Sequence, residues 1–343
     1  MLKKIAGTVG LSAIVATLLM AQAPAYAQQA SVQPGVCPAP AAGRGGAAAP
    51  AAGRGTAPTA PAPKRVLAWS DTRNGISQHE FISYVLARMQ VMGHESKAYD
   101  VIVRTDSDII SFNPKMTDGK TPASGGPSLC NIDAIIYAGH RNVPLDAQQK
   151  ADLISALRDK GVGFVGLFIG ILPDDDFPEL TNILGAKTAA SGPADPWGAS
   201  PIINESPDSP FTKHLPQIWT VPTNQAYILD FYNRKDIQVL LRKDLSKLAP
   251  KAQYTRADGD YPVAWTKMYG KSRVFVSSLG RSEALWDDPN ILKMYDEAIK
   301  WSVGLTNYDV KPHPLPAGVI GPQGPMPAPA PAQAGRGGRS AAE

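Results

Sequence analysis

Gly161-Val162-Gly163-Phe164-Val165-Gly166-Leu167-Phe168-Ile169-Gly170 is the stretch whose reading decides the fold. Its apolar positions are continuous instead of alternating, which marks a strand covered on both faces. It follows an amphipathic helical stretch, Asp146 to Lys160, and ends at a glycine where the chain must turn. A strand entered and left in this way is a central parallel strand of an α/β sheet. In such sheets ligands bind beyond the carboxyl ends of the strands. Function is therefore expected around Leu167 to Gly170 and the matching ends of the neighbouring strands.

On the N-terminal side, Val66 to Ser70 forms a short apolar strand that runs into the turn-rich Asp71-Thr72-Arg73-Asn74-Gly75. Phe81, Ile82, Val85, Leu86 and Met89 fall at helical spacing over His79 to Met92, with Gly93 as the expected stop. Strands are expected at Ser96 to Val103 and Ile132 to Tyr137. On the C-terminal side, the proline-rich 191–210 segment reads as loops with at most short strands between them. Further strands are expected at Asp236 to Lys243, Pro262 to Tyr269 and Arg273 to Ser278, the last two forming a hairpin through Gly270-Lys271. A closing helix spans Asn290 to Val303. The fold class is α/β: a flavodoxin-like, doubly wound, mostly parallel sheet with antiparallel strands added in the C-terminal half.

The ends differ in texture. Residues 1–27 carry Lys3 and Lys4, an apolar run from Ile5 to Met20 and Ala25-Tyr26-Ala27, the three parts of a secretory signal peptide. The run is short and interrupted for a membrane span. Extracytoplasmic localisation, periplasmic or secreted, is the expectation, with no stable membrane insertion after cleavage. Residues 28–63 and 312–343 are rich in Ala, Pro and Gly and too poor in apolar surface to offset the entropy of ordering them, so they read as disordered linker and tail. This leaves 64–311 as one α/β domain.

Arg-Gly-Gly units can bind single-stranded nucleic acid, but only Arg44, Arg54, Arg336 and Arg339 are basic in the two tails, and no aromatic is interleaved. Of 34 Lys and Arg and 30 Asp and Glu, six basic residues and one acidic residue lie outside 64–311, leaving 28 against 29 in the domain. So balanced a surface gives no reason to expect a nucleic-acid partner. Cys37 and Cys130 allow one disulfide in an oxidising compartment, pinning the N-terminal tail to the loop before Ile132. Two unpaired thiols is the alternative left open.

Several stretches carry a family resemblance: Val66-Leu67-Ala68-Trp69-Ser70, Ser77-Gln78-His79-Glu80, Ile132-Asp133-Ala134-Ile135-Ile136, Gly161 to Gly166 and Pro262-Val263-Ala264-Trp265. Gly270-Lys271-Ser272-Arg273-Val274-Phe275-Val276, Ser278-Leu279-Gly280 and Ala298-Ile299-Lys300-Trp301 extend it. In order and spacing they resemble the ThuA-like (trehalose utilisation) family over most of residues 64–304. The resemblance implies a fold related to class I glutamine amidotransferases and a role in carbohydrate metabolism, on disaccharides or their 3-keto derivatives. It implies polar residues at the matching sheet edge, where this chain has Phe168 after the central strand, Asn224-Gln225 before Tyr227, and Arg281 after Gly280. Of that polar set His79 is retained.

The candidate residues follow. No Ser or Cys occupies Leu167 to Gly170, so a nucleophile-elbow mechanism is excluded. His79, before the first helix, is the candidate catalytic acid or base; its competing reading is a helix start capped by Ser77 or Gln78. Candidate substrate-binding groups are Asp71, Arg73, His140, Phe168, Asn224, Gln225 and Arg281, with Trp286 as a face for stacking on a sugar ring. Against these stand a surface turn for His140, core packing for Phe168 and Trp286, and an Arg281–Glu283 surface pair. Asp174-Asp175-Asp176 lacks the spacing of a calcium loop. No metal or cofactor is expected, and the expected partner is a small carbohydrate. An enzyme, a carbohydrate-binding module and a protein-interaction module all remain open, as does the oligomeric state.

Overall fold

The structure is a computed structural model that describes residues 32–38, 62–71, 81–123, 125–138, 144–167, 176–193, 198–224, 227–247, 256 and 258–319. It divides into two compact units, Met1–Val32 and Gln33–Glu343. Only Val32 of the first is described, and the architecture below is that of the second.

The elements run β1 (Lys64–Trp69), α1 (Phe81–Ser96), β2 (Tyr99–Arg104), β3 (Ala134–Tyr137), α2 (Ala147–Arg158), β4 (Gly163–Gly166) and α3 (Glu179–Leu184). They continue β5 (Ala186–Pro193), β6 (Gly198–Asn204), β7 (Ile218–Asn224), β8 (Tyr227–Tyr232), β9 (Gln238–Lys243), β10 (Pro262–Tyr269), β11 (Ser272–Ser277) and α4 (Pro289–Ser302). Nine strands form one sheet in the order β2-β1-β3-β4-β11-β10-β9-β6-β7, and β5 pairs with β8 apart from it. From β2 to β11 every neighbouring pair is parallel; from β11 to β7 every pair is antiparallel. This is the flavodoxin-like sheet expected from the Gly161 stretch, with its antiparallel extension.

Alternation along the strands builds two cores. Val66, Ala68, Ala134, Ile136 and Val165 face α1 and α4; Leu67, Trp69, Ile135, Tyr137 and Phe164 face α2 and α3. All ten are essentially without solvent exposure, and each large apolar side chain so buried contributes about 1.5–3 kcal/mol. This two-sided burial is why the β4 sequence is continuously apolar.

Three expectations need correction. Gly93 does not stop α1, which continues to Ser96. The glycine is buried where a Cβ would meet Val101 Cγ2 at 2.8 Å and Tyr99 O at 3.1 Å, so it lets α1 lie close on β2. The 191–210 segment, expected to be loops with at most short strands between them, holds the end of β5 and the whole seven-residue β6, with β7 and β8 soon after. Pro201 and Pro222 lie within strands because the hydrophobic and hydrogen-bonding context of the sheet overrides local propensity. Finally, part of the expected linker is docked on the domain. Gln33 O accepts from Gln148 Nε2 at 2.9 Å, Gly35 N donates to Asp152 Oδ1 at 2.7 Å, and Val36 O accepts from Asn113 Nδ2 at 2.9 Å. Cys37 and Cys130 form a disulfide with Cα atoms 5.6 Å apart.

The start of α2 is fixed locally. Asp146 accepts from Gln149 N at 2.8 Å while its own N–H donates to Gln149 Oε1 at 2.9 Å, a reciprocal capping box. Asp146→Ala should therefore lower stability by about 1 kcal/mol, read as a shift in urea midpoint at unchanged slope.

Candidate functional site

Register brings four strand ends into one row. Trp69 is paired with Tyr137, Tyr137 with Gly166, and Gly166 with Val276. One residue further out, Ala138 N donates to Trp69 O at 2.9 Å and Leu167 N to Tyr137 O at 3.0 Å, so the ladder holds to the edge. Asp71, Phe168 and Arg281 each lie within a few residues of this row along the chain. In sequence His140 comes three residues after the end of β3, and His79 two residues before the first residue of α1.

The described residues at that edge form an apolar crevice. Phe81, Ile82 and Val85 of α1 meet Ala138, Leu167, Gly280 and Trp286 around a seam too narrow for a water molecule. It is a floor and not a complete binding cavity. The candidate positions are near it in sequence: Phe81 follows His79 by two residues, Ala138 precedes His140 by two, Leu167 precedes Phe168, and Gly280 precedes Arg281. His79, Arg73, His140, Phe168 and Gln225 lie outside the described residues, as does the Asn224 side chain.

Asp71 and Arg281 stand at the ends of β1 and β11. Asp71 is 3% exposed and Arg281 is half-buried, and each is engaged by a neighbour. Among the described residues, the hydroxyls of Ser70 and Ser282 and the Trp69 indole N–H are buried without a hydrogen-bond partner. Such groups are costly to bury unsatisfied. Asn224 ends β7, the last strand of the sheet, and β7 packs against the 3-10 turn Glu283–Asp287 that follows Arg281.

Trp286 is corrected from ligand platform to framework. It is 1% exposed, its Nε1 donates to Gly280 O at 2.6 Å, and its ring stacks on Tyr295 with centroids 4.8 Å apart. A face engaged in that stack is not free for a pyranose. The ring instead supports the Gly280–Arg281 corner.

A clamp that sequence reasoning missed holds α1 to this corner. Tyr84 Oη donates to Asp287 Oδ1 at 2.6 Å, Arg88 Nε donates to Trp286 O at 3.0 Å, and Arg88 Nη2 lies 3.6 Å from Asp287 Oδ1. The Asp287 hydrogen bond holds the Tyr84 phenol above its ordinary range. Tyr84 and Asp287 are 203 residues apart; the only local signal was the i, i+4 spacing of Tyr84 and Arg88 on one face of α1. Elsewhere, His214 Nε2 lies 3.0 Å from Asn290 O, and burial holds its imidazole below the usual range. Among the described residues no cluster of three or more His, Cys, Asp or Glu is placed to hold a metal ion.

Comparison with known proteins agrees with this architecture. The chain matches no curated protein. Among solved structures, a ThuA-like protein from Bacteroides uniformis ATCC 8492 superposes with a TM-score of 0.55 at 17% identity, over 72% of this chain and 94% of that one. A second, from Parabacteroides merdae ATCC 43184, superposes with a TM-score of 0.50 at 15% identity, over 71% and 90%. At such identities the likeness is one of fold. The family model for ThuA, trehalose utilisation, matches residues 65–302, which include the whole sheet but the start of β1, and the chain belongs to that family.

Proposed function

We propose that this chain is an exported sugar-utilisation protein that takes a carbohydrate, a disaccharide or its 3-keto derivative, at the carboxyl edge of β1, β3, β4 and β11. The observation that carries the reading is the convergence of those strand ends on one apolar floor, from which His79, His140, Phe168 and Arg281 are one or two residues away along the chain. The packed apolar base fixes the strand ends, and the polar groups that follow them in the chain suit the hydroxyls of a sugar. In this reading His79 is the acid or base, and Asp71, Arg73, His140, Asn224, Gln225 and Arg281 position the substrate. Membership of the trehalose-utilisation family supports the substrate class. Export is supported by the signal-like sequence at 1–27 and by the Cys37–Cys130 disulfide, a bond that persists in oxidising compartments.

A second reading, binding without turnover, is favoured by Asn224-Gln225, neutral amides where the family resemblance implies an acidic pair. A thermal-shift panel of disaccharides, 3-keto-sugars and uronic acids followed by product analysis separates the two. A ligand at 100 times its Kd should stabilise the fold by about 2.7 kcal/mol. Loss of turnover in His79→Ala with the shift retained supports the enzyme. A saturable shift with no product selects the binding module, and no shift across the panel overturns the site.

A further inference from the structure

We propose that Cys37–Cys130 is a thiol–disulfide exchange site, opened by a dithiol reductant, whose reduction releases segment 33–38 from a domain that stays folded. The inference is independent of the sugar reading and rests on three features of the docked segment.

The first is access. Both cysteines are half-buried at the surface, and neighbouring Val36 is 81% exposed. An attacking thiol can therefore reach the bond without the core opening.

The second is a positioned cation. Lys160 Nζ lies 2.8 Å from Cys37 Sγ and 3.7 Å from the centroid of the Phe112 ring. Phe112 is itself 1% exposed, so the ring face that holds the ammonium is fixed by the core. An ammonium beside a sulfur stabilises the thiolate and makes it the better leaving group. The direction of exchange follows. A reductant thiolate attacks Cys130 Sγ, forming a mixed disulfide. The Cys37–Cys130 bond breaks with its electron pair passing to Cys37 Sγ beside Lys160. The second reductant thiol, on losing its proton, attacks its own sulfur in the mixed disulfide and expels Cys130 as thiolate. The reductant leaves as a cyclic disulfide, the two protons given up by its thiols pass to the cysteines or to solvent, and two electrons have moved.

The third is what remains afterwards. Apart from the disulfide, Lys160 and the packing of Cys37 against the second core, three hydrogen bonds hold the segment among the described residues, through Gln33 O, Gly35 N and Val36 O. Each contributes modestly and together they do not offset the ordering of six residues. The buried carboxylate that Gly35 leaves behind is not stranded. Asp152, 1% exposed, keeps Ser111 Oγ at 2.9 Å, Phe112 N at 2.9 Å and Gln148 Nε2 at 2.8 Å as donors. The latch can open without exposing an unsatisfied charge.

The test uses the oxidised full chain titrated with dithiothreitol. Alkylation of Cys37 and Cys130 is read by mass, protection of the Gly35 amide by hydrogen exchange, and folding by circular dichroism. Expected are alkylation of both thiols and loss of Gly35 protection with an unchanged spectrum. Reduction should slow about three- to tenfold in Lys160→Met and stay near the wild-type rate in Lys160→Arg. Four results would each overturn the proposal: thiols that appear only as the spectrum collapses; a Gly35 amide still protected after both thiols are alkylated; a wild-type rate in Lys160→Met; or a chain whose two cysteines mild oxidation does not join.

Discussion

Arg234→Ala should lower stability by about 3–5 kcal/mol, among the largest effects expected of any single substitution in this chain. Arg234 lies beyond β8, in the turn before β9, and bridges two carboxylates. Its Nε and Nη2 donate to Asp260 Oδ2 and Oδ1, both at 2.6 Å, and its Nη1 and Nη2 donate to Glu205 Oε2 and Oε1 at 2.9 and 3.2 Å. Arg242 Nε lies 2.6 Å from Glu205 Oε1. The side chains of Glu205 and Asp260 are 1% and 4% exposed, and that of Arg234 is 11% exposed. Those two carboxylates hold the Arg234 guanidinium above its already high range. Removing Arg234 leaves Glu205 with Arg242 but strips the buried Asp260 carboxylate of its bidentate partner. The cost is mostly that stranded charge, so a second substitution, Asp260→Ala, should return part of it. The double variant should lie at least about 1 kcal/mol above the sum of the two singles in chemical denaturation. If Arg234→Ala costs under about 1 kcal/mol, or the double variant is additive, the network does not tie the end of β6, the β8–β9 turn and the start of β10 together.

Gly163→Val should be worse than a loss of propensity suggests, costing about 3 kcal/mol or more or preventing folding, and Gly163→Ala should already cost about 1–3 kcal/mol. A Cβ at this position of β4 would stand 2.3 Å from Ser302 O and 2.7 Å from Ser302 C, both backbone atoms at the end of α4. Backbone cannot swing aside as a side chain can, so α4 would have to lift from the sheet. With it would move Tyr295, whose hydroxyl donates to Leu279 O at 2.7 Å beside the Gly280–Arg281 corner. Gly126→Ala is the control: it is exposed, with nothing within 4 Å of the added Cβ. Its midpoint should stay within about 0.5 kcal/mol of the parent. Equal midpoints for Gly163→Ala and the parent would show that α4 does not sit as close to β4 as these distances require.

Both predictions depend on contacts between residues far apart in sequence, and this separates what was legible from what was not. The parallel half of the fold could be read because each element announces itself locally. Continuous apolar runs in β1, β3 and β4 report burial on two faces, and the helical spacing of Phe81, Ile82, Val85, Leu86 and Met89 reports one buried stripe. Once the strands are known, parallel pairing and crossover topology leave few arrangements, and the edge that carries the candidate site follows from the direction of β4. The family resemblance, the exclusion of a nucleophile at Leu167 to Gly170 and the approximate positions of β9, β10, β11 and α4 came from the same local signals.

The remainder depended on distance in space. Pro193, Pro201 and Pro222 in β5, β6 and β7 argue against strand locally, and the pairing partners of those strands override them. Gly93 reads as a helix stop in one dimension and as a close helix–strand contact in three. Trp286 carries the same indole whether it faces a ligand or a core, and only Tyr295 and Gly280 O decide which. Cys37 gave no hint of whether it would find Cys130, 93 residues away, or that Lys160 would stand beside it. The sequence by itself determined the class of fold and the sheet edge at which a site is expected, because those follow from periodicity over ten to twenty residues, and the order of its short stretches pointed to its family. The tertiary structure alone decided which charges are buried together, which glycines cannot be replaced and which tail residues belong to the domain, because each is set by packing between segments that periodicity does not relate.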